Sequence, residues 1–220
     1  MVYGRLCLTA LLAGCFLSFA WGMRYFFQHT ENWSTGMRIS QMCGTVFAVL
    51  HLGAILLGSP GAVGIAAGLY LGSLALFWWA IHANRSQPLS AAFLDDLPVH
   101  LVESGLYRYI RHPFYTSYLL AWLAGVVAVE RLWLAPTLLV MLTIYWKASQ
   151  AEEGKFARGN LAAAYESYRA NTGRFLPNLW KLAGMGNRPE VIAPPIIEKF
   201  GVEKCGVVEK CGVKDAPRLD

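Results

Sequence analysis

The sequence predicts an all-α, polytopic membrane protein with about five transmembrane helices and a cytosolic helical C-terminal segment. Three observations carry this. Hydrophobic residues make up 55% of the 220 and charged residues only 15%, more apolar and less charged than an ordinary soluble domain. Apolar stretches recur at 6–27, 38–59, 61–84, 113–129 and 132–148, near the ~20 residues that a hydrocarbon layer about 30 Å thick requires. Basic residues fall unevenly around these stretches. With an odd number of spans and the C-terminus in the cytosol, Arg24, Arg38, Arg85, Arg108, Arg111, Lys147, Lys155 and Arg158 share the cytosolic side, against Arg5 and Arg131 opposite. Basic flanks facing anionic lipid then account for the net charge of +5, with no call for nucleic acid.

The elements follow in order. Arg5 ahead of an apolar run raises a cleavable signal peptide, but the run continues through Trp21 to Phe27 without a small-x-small site, which favours a retained helix. "GSPGAVG" makes a tight hairpin of the second and third stretches. Residues 85–112 form a long polar connection with Pro88, Asp95, Asp96, Pro98 and Glu103, and with Phe93 and Leu94 as membrane-surface anchors; connections of this length are often functional. Pro113, lacking an N–H, suits the first turn of the fourth span. The fourth and fifth spans are short and joined by a tight turn. The chain then leaves the membrane as a helix, breaks at Gly159-Asn160, and resumes as an amphipathic helix through about 171, where Tyr165 and Tyr168 share one face; Gly173 and Pro177 stop it.

Three segments result: 1–84 with three N-terminal helices, 85–177 as a core with two more, and a tail, 178–220, mobile by composition. In the tail "VEKCGVVEKCGV" is one hexapeptide written twice, and Cys205 and Cys211 lack zinc-ligand spacing. No metal site is expected. All five cysteines should be reduced: Cys7, Cys15 and Cys43 as small apolar groups, and Cys205 and Cys211 as cytosolic thiols.

The chemistry concentrates in "SGLYRYIRHPFYTSYLL", residues 104–120. Arg111 and His112 precede the N-terminus of the fourth span, whose free N–H groups and dipole favour an anion. Tyr107, Tyr109 and Tyr115 add hydroxyls and aromatic faces that attract cations. Tyr and Arg also anchor helices at membrane interfaces, so the density of the cluster, rather than any one residue, marks a site. Glu152-Glu153 follows the fifth span on the same side. Adjacent helical residues diverge by about 100°, so one carboxylate should face inward and the other water or Lys155. Cations at one helix end and a carboxylate at another suit a zwitterion, such as the amino-acid end of a nucleoside cofactor.

"LVESGLYRYIRHPFYTSYLL", then "AEE" and "AYESYRANTGRFLP", resembles the isoprenylcysteine carboxyl methyltransferase family of membrane methyltransferases, with phosphatidylethanolamine N-methyltransferases more distant. The resemblance spans roughly 82–177. It implies an S-adenosylmethionine site enclosed by the last two spans and the C-terminal segment. Val99, His100, Leu101 and Val102 would line it partly through backbone, Tyr107, His112, Pro113, Phe114 and Tyr115 would contact the cofactor, and Glu152 would hold its ammonium group. Arg111, His112 and Glu153 are the candidate catalytic residues. The chain departs from the pattern where prenylcysteine-methylating members place a substrate-binding arginine: here stands Ala148, after Lys147. The Phe-Gly after the glutamates is replaced by a stretch with "ARGNLAAAY". The implied reaction is methyl transfer to a hydrophobic or lipid-like acceptor, a carboxylate first, with a phospholipid or small amine as the alternative. A carboxylate needs no general base, whereas an amine needs His112, Glu152 or Glu153 to deprotonate it. Two rivals are a haem protein, prompted by His51 and His82, and a non-catalytic scaffold. In a hairpin turning near residue 60 the two histidines differ in depth by roughly 20 Å, too far apart for one haem.

Overall fold

The fold is built from three long helices, α1 (Val2–Tyr25), α2 (Thr35–Leu57) and α3 (Val63–Ala83), then a 3₁₀ turn (Gly105–Arg108), α4 (Pro113–Val129), a second 3₁₀ turn (Leu132–Leu134), α5 (Ala135–Arg158) and α6 (Ala162–Asn171). A computed structural model describes residues 2–26, 35–59, 61–85, 100–129 and 132–178, all within the unit Met1–Met185. Val99, Phe93, Leu94 and the duplicated hexapeptide lie outside the described residues.

The all-helical expectation is met, and α1, α2, α3 and the run Leu132–Arg158 are each long and apolar enough to cross a bilayer. The fifth expected span differs. α4 has only 17 residues, about 25 Å at 1.5 Å per residue, short of the roughly 30 Å layer. Ten of its residues are buried, so α4 is the central helix and its neighbours, rather than its own length, cover it. Leu17, Trp21, Val46, Val49, Ile65, Leu71, Leu139 and Leu142 are exposed on the outside, an apolar surface that belongs in lipid. The protein is thus an integral membrane protein. The last turns of α5, from Lys147 onward, carry Glu152, Glu153, Lys155 and Arg158, charges that are costly inside a hydrocarbon layer and belong at its edge or beyond it.

Regular spacing makes the bundle. Buried positions repeat at alternating steps of four and three on α1 (Leu8, Leu12, Cys15, Phe19, Gly22) and on α3 (Ala66, Tyr70, Ser73, Phe77, Ala80), the one-sided stripe of a packed helix. α3 lies between α1 and α4. Small residues let it approach: Ser73 Oγ donates to the Ser117 carbonyl at 2.7 Å, and Ser117 Oγ to the Phe114 carbonyl at 2.7 Å. Such contacts replace the hydrophobic drive that lipid does not supply. Phe19, Phe77 and Tyr118 close the stack, with Phe19 5.2 Å from Phe77 and 4.6 Å from Tyr118.

α2 is pinned to α4 and α5 by His51. Its Nε2 lies 2.8 Å from Thr137 Oγ1, its ring meets Trp122 edge-on at 5.4 Å, and it fills the notch above Gly125, where a Cβ would sit 1.9 Å from His51 Nδ1. His51 is thereby a helix-to-helix contact, while His82 is exposed at the end of α3. Nothing in these placements favours a shared haem. Among the described residues no cluster could hold a metal ion. Cys7, Cys15 and Cys43 are free.

Candidate active site

α4 begins at Pro113, as its chemistry predicts, and the turn before it is stitched to the segment after α6. Gly173 N donates to the Tyr109 carbonyl at 3.1 Å, Arg111 N to the Gly173 carbonyl at 2.8 Å, and His112 N to the Arg174 carbonyl at 3.1 Å, a short parallel bridge between Ile110 and Gly173. Gly173 is required there: a Cβ would lie 1.6 Å from the Leu176 carbonyl oxygen. Thr116 Oγ1 donates to the Phe175 carbonyl at 2.7 Å, and Tyr168 OH to the Tyr107 carbonyl at 2.7 Å. α6, its buried Tyr165 and Tyr168 on one face, therefore presses the chain's return onto the mouth of α4. The break before it falls at Gly159, which caps α5.

At this junction sits a charged cluster. Glu153, 8% exposed, accepts from Arg111 Nε at 3.1 Å, from Arg174 Nε at 3.1 Å and Nη2 at 2.8 Å, and lies 3.2 Å from His112 Nε2. The other ring nitrogen, Nδ1, is 3.2 Å from Glu152 Oε2. Tyr115 OH donates to Glu152 Oε1 at 2.6 Å. Arg111 Nη1 also donates to the carbonyls of Arg169 and Thr172. Arg174 lies over the Trp146 ring, 4.4 Å from its centroid.

Two sequence expectations change. The adjacent glutamates do not divide between inside and outside, because His112 stands between them and each of its ring nitrogens meets one. The cationic mouth is also already neutralised: Arg111 and His112 face the protein's own carboxylates rather than an open anion site.

The electrostatics follow from these contacts. Burial opposes ionisation of Glu153, but hydrogen bonds from His112 and Arg174 and the charge of Arg111 outweigh it and hold the carboxyl below its usual range. Burial likewise opposes protonation of His112, and the bonds to Glu152 and Glu153 overcome that and raise its pKa. Burial pushes the Tyr107 hydroxyl well above the ordinary range against a hydrogen bond with Asn84, and Tyr168, Glu152 and Tyr118 add to the rise. Tyr107 therefore stays a neutral donor.

Of the residues expected from sequence, Arg111, His112, Tyr115, Glu152 and Glu153 meet in this cluster, and Tyr107 lies within electrostatic reach of Glu152. Pro113 is buried at the helix start, while Phe114 turns away, toward Phe26 and Phe77. His100 is exposed, and Leu101 and Val102 are half-buried in the irregular approach to the turn. Several residues were not singled out by sequence: Arg174, Thr172, Tyr118 and Tyr145 around the carboxylates, and Asn84 at the end of α3. Tyr145 stacks on Tyr115 at 5.2 Å. A buried glutamate beside a second one signals a need for more than one cation, which would have pointed to Arg174.

Residues 62–161 match the family described as phospholipid methyltransferase. No curated protein and no solved structure gives a significant match. The matching segment takes in α3, α4, α5, the His112–Glu152 contact and the Gly159 break, and stops short of Thr172–Phe175. Over this segment the chain is similar to the phospholipid methyltransferases.

Proposed function

We propose that the protein is an S-adenosylmethionine-dependent membrane methyltransferase that acts on a hydrophobic, lipid-like acceptor. One observation carries the reading. Glu152 is a carboxylate held in place by Tyr115 and His112 with its side chain still 26% exposed, and the neutral Tyr107 hydroxyl lies within its electrostatic reach. A fixed, part-exposed carboxylate suits the ammonium group of an amino-acid end, and the aromatic groups around it suit a sulfonium cation. The residues present therefore fit the cofactor that the resemblance implies, and the family match points the same way.

When bound, S-adenosylmethionine supplies an electrophilic methyl group. Glu152 and Tyr107 would hold it, with Tyr115 and His112 fixing the Glu152 carboxylate. Arg111 and Glu153 enter as a positioning pair: they lock the mouth of α4 to the 172–175 return, so His112 cannot swing away from Glu152. The bundle excludes water, which strengthens electrostatic attraction in the site. A carboxylate acceptor needs no proton removed. An amine acceptor must lose one, and His112, Glu152 or Glu153 would have to take it. The predominance of basic residues at this end of the bundle supports a site that opens to the cytosol.

The test is incubation of membranes containing the protein with isotopically labelled methyl donor, followed by mass spectrometry of extracted lipids and small molecules. Label should appear in a hydrophobic product and vanish with Glu152→Ala. Release of volatile label by mild base marks an ester, and base-stable label an amine. Absence of any labelled product, together with no binding of S-adenosylhomocysteine to the detergent-solubilised protein, refutes the reading.

A further inference from the structure

How well Glu152 can grip a ligand depends on where its two oxygens point, and two side chains set that. Oε2 lies 3.2 Å from His112 Nδ1, and Oε1 accepts from the Tyr115 hydroxyl at 2.6 Å. His112 is fixed in turn by its other nitrogen, 3.2 Å from Glu153. Tyr115 is fixed by a different means, the packing of its ring.

Two neighbours stack on that ring. His112 does so at 5.5 Å and 21°, and Tyr145, from α5, at 5.2 Å and 12°, the near-parallel arrangement that aromatic pairs favour when offset. Tyr145 is buried and tied back to α4, where Trp122 Nε1 donates to its hydroxyl at 3.5 Å. Trp122 is itself wedged against Phe16 of α1 and His51 of α2, 4.9 and 5.4 Å from their rings. Four helices therefore converge, through Trp122 and Tyr145, on Tyr115. Tyr145 and Glu152 stand seven residues apart on α5, two turns along one face and about 10 Å in length. Tyr115 spans that gap, its ring on the one and its hydroxyl on the other.

We propose that Tyr145 is a positioning residue of the donor site: its stacked ring holds Tyr115 so that the Tyr115 hydroxyl sets the Glu152 carboxylate in the orientation that accepts a ligand ammonium group. This rests on the methyl-donor reading above, and it adds Tyr145, which lies outside the residues carried by the resemblance.

The experiment measures calorimetric affinity of the detergent-solubilised full chain for two probes. S-adenosylhomocysteine carries the amino-acid end, and methylthioadenosine lacks it. Tyr145→Leu removes the stacked ring, and affinity for S-adenosylhomocysteine should fall about threefold to tenfold, the scale of one aromatic pair, with methylthioadenosine affinity unchanged. Tyr145→Phe keeps the ring and should bind both probes as wild type does. Tyr115→Phe removes the hydroxyl and should show the same split between probes as Tyr145→Leu. In that background Tyr145→Leu should add no further selective loss, because both changes act through one bond. Retained S-adenosylhomocysteine affinity in Tyr145→Leu overturns the proposal, as does an equal loss for both probes, an equal loss in Tyr145→Phe, or additive losses in the double variant. If Tyr145→Leu loses its melting transition, Tyr145→Met, which fills the space without a ring, takes its place. Loss of the transition in both makes Tyr145 a folding residue and overturns the proposal too. Wild-type protein that binds neither probe refutes the methyl-donor reading itself.

Discussion

Replacing Glu153 by Gln keeps the side chain's size and removes the single negative charge on which Arg111, Arg174 and His112 converge, at 3.1, 2.8 and 3.2 Å. The Glu153 and Arg111 side chains are each only 9% exposed, so water cannot take over. Breaking a buried pair by removing one partner costs about 3–5 kcal/mol. Arg174, at 21% exposure, recovers some hydration, which places the loss near the lower figure, about 3 kcal/mol. At roughly 2–4 °C per kcal/mol for a chain of this size, Glu153→Gln should melt about 6–12 °C below wild type. Glu152→Gln should stay within about 1 kcal/mol, because its carboxylate is 26% exposed and its partners are Tyr115 and His112. Fluorimetric melting in mild detergent at pH 7 measures both. A group whose folded pKa is depressed contributes stability above its unfolded value, about 4.3, and loses it as pH falls. The gap between wild type and Glu153→Gln should therefore narrow on acidification below about pH 4. A Glu153→Gln protein that melts with wild type at pH 7, or a Glu152→Gln protein that loses as much, refutes the division of labour between the two glutamates.

Gly125→Ala should destabilise by about 1–3 kcal/mol through overpacking, since the new methyl meets a His51 ring already held by Thr137 and Trp122; adding His51→Ala should restore part of the loss in the same melting assay, and a neutral Gly125→Ala would remove the pin. His112, whose pKa is raised, contributes stability that is full below about pH 6.5 and declines as pH rises through the folded value. Melting temperature should accordingly fall from pH 6.5 to 9 in wild type by more than in His112→Gln, and parallel profiles would count against a charged His112 bridge.

What was legible in the sequence was local. Pro113, Gly159 and the Tyr165–Tyr168 pair announce a helix start, a break and a buried face by rules that reach only a few residues. The approach of residues 109–112 to 172–175 joins positions about sixty apart through backbone hydrogen bonds, and backbone atoms leave no residue-type signature. Arg174 was hidden for that reason, since its value lies in where the return strand delivers it. The two glutamates were misjudged because helical divergence was weighed without the width of an imidazole, whose two nitrogens reach both. That α4 is short was legible in the sequence, but its central place was not, because hydropathy registers how apolar a helix is, and not whether lipid or protein surrounds it.

The bridge from Tyr109 to Gly173 also separates two moments in the life of the chain. All the membrane-crossing helices are complete by Arg158, so a nascent chain can be fully inserted while Arg174 is still unmade and Glu153 lacks its strongest cation. The junction at the mouth of α4 would close only once the return segment docks, after the last of these helices has been made.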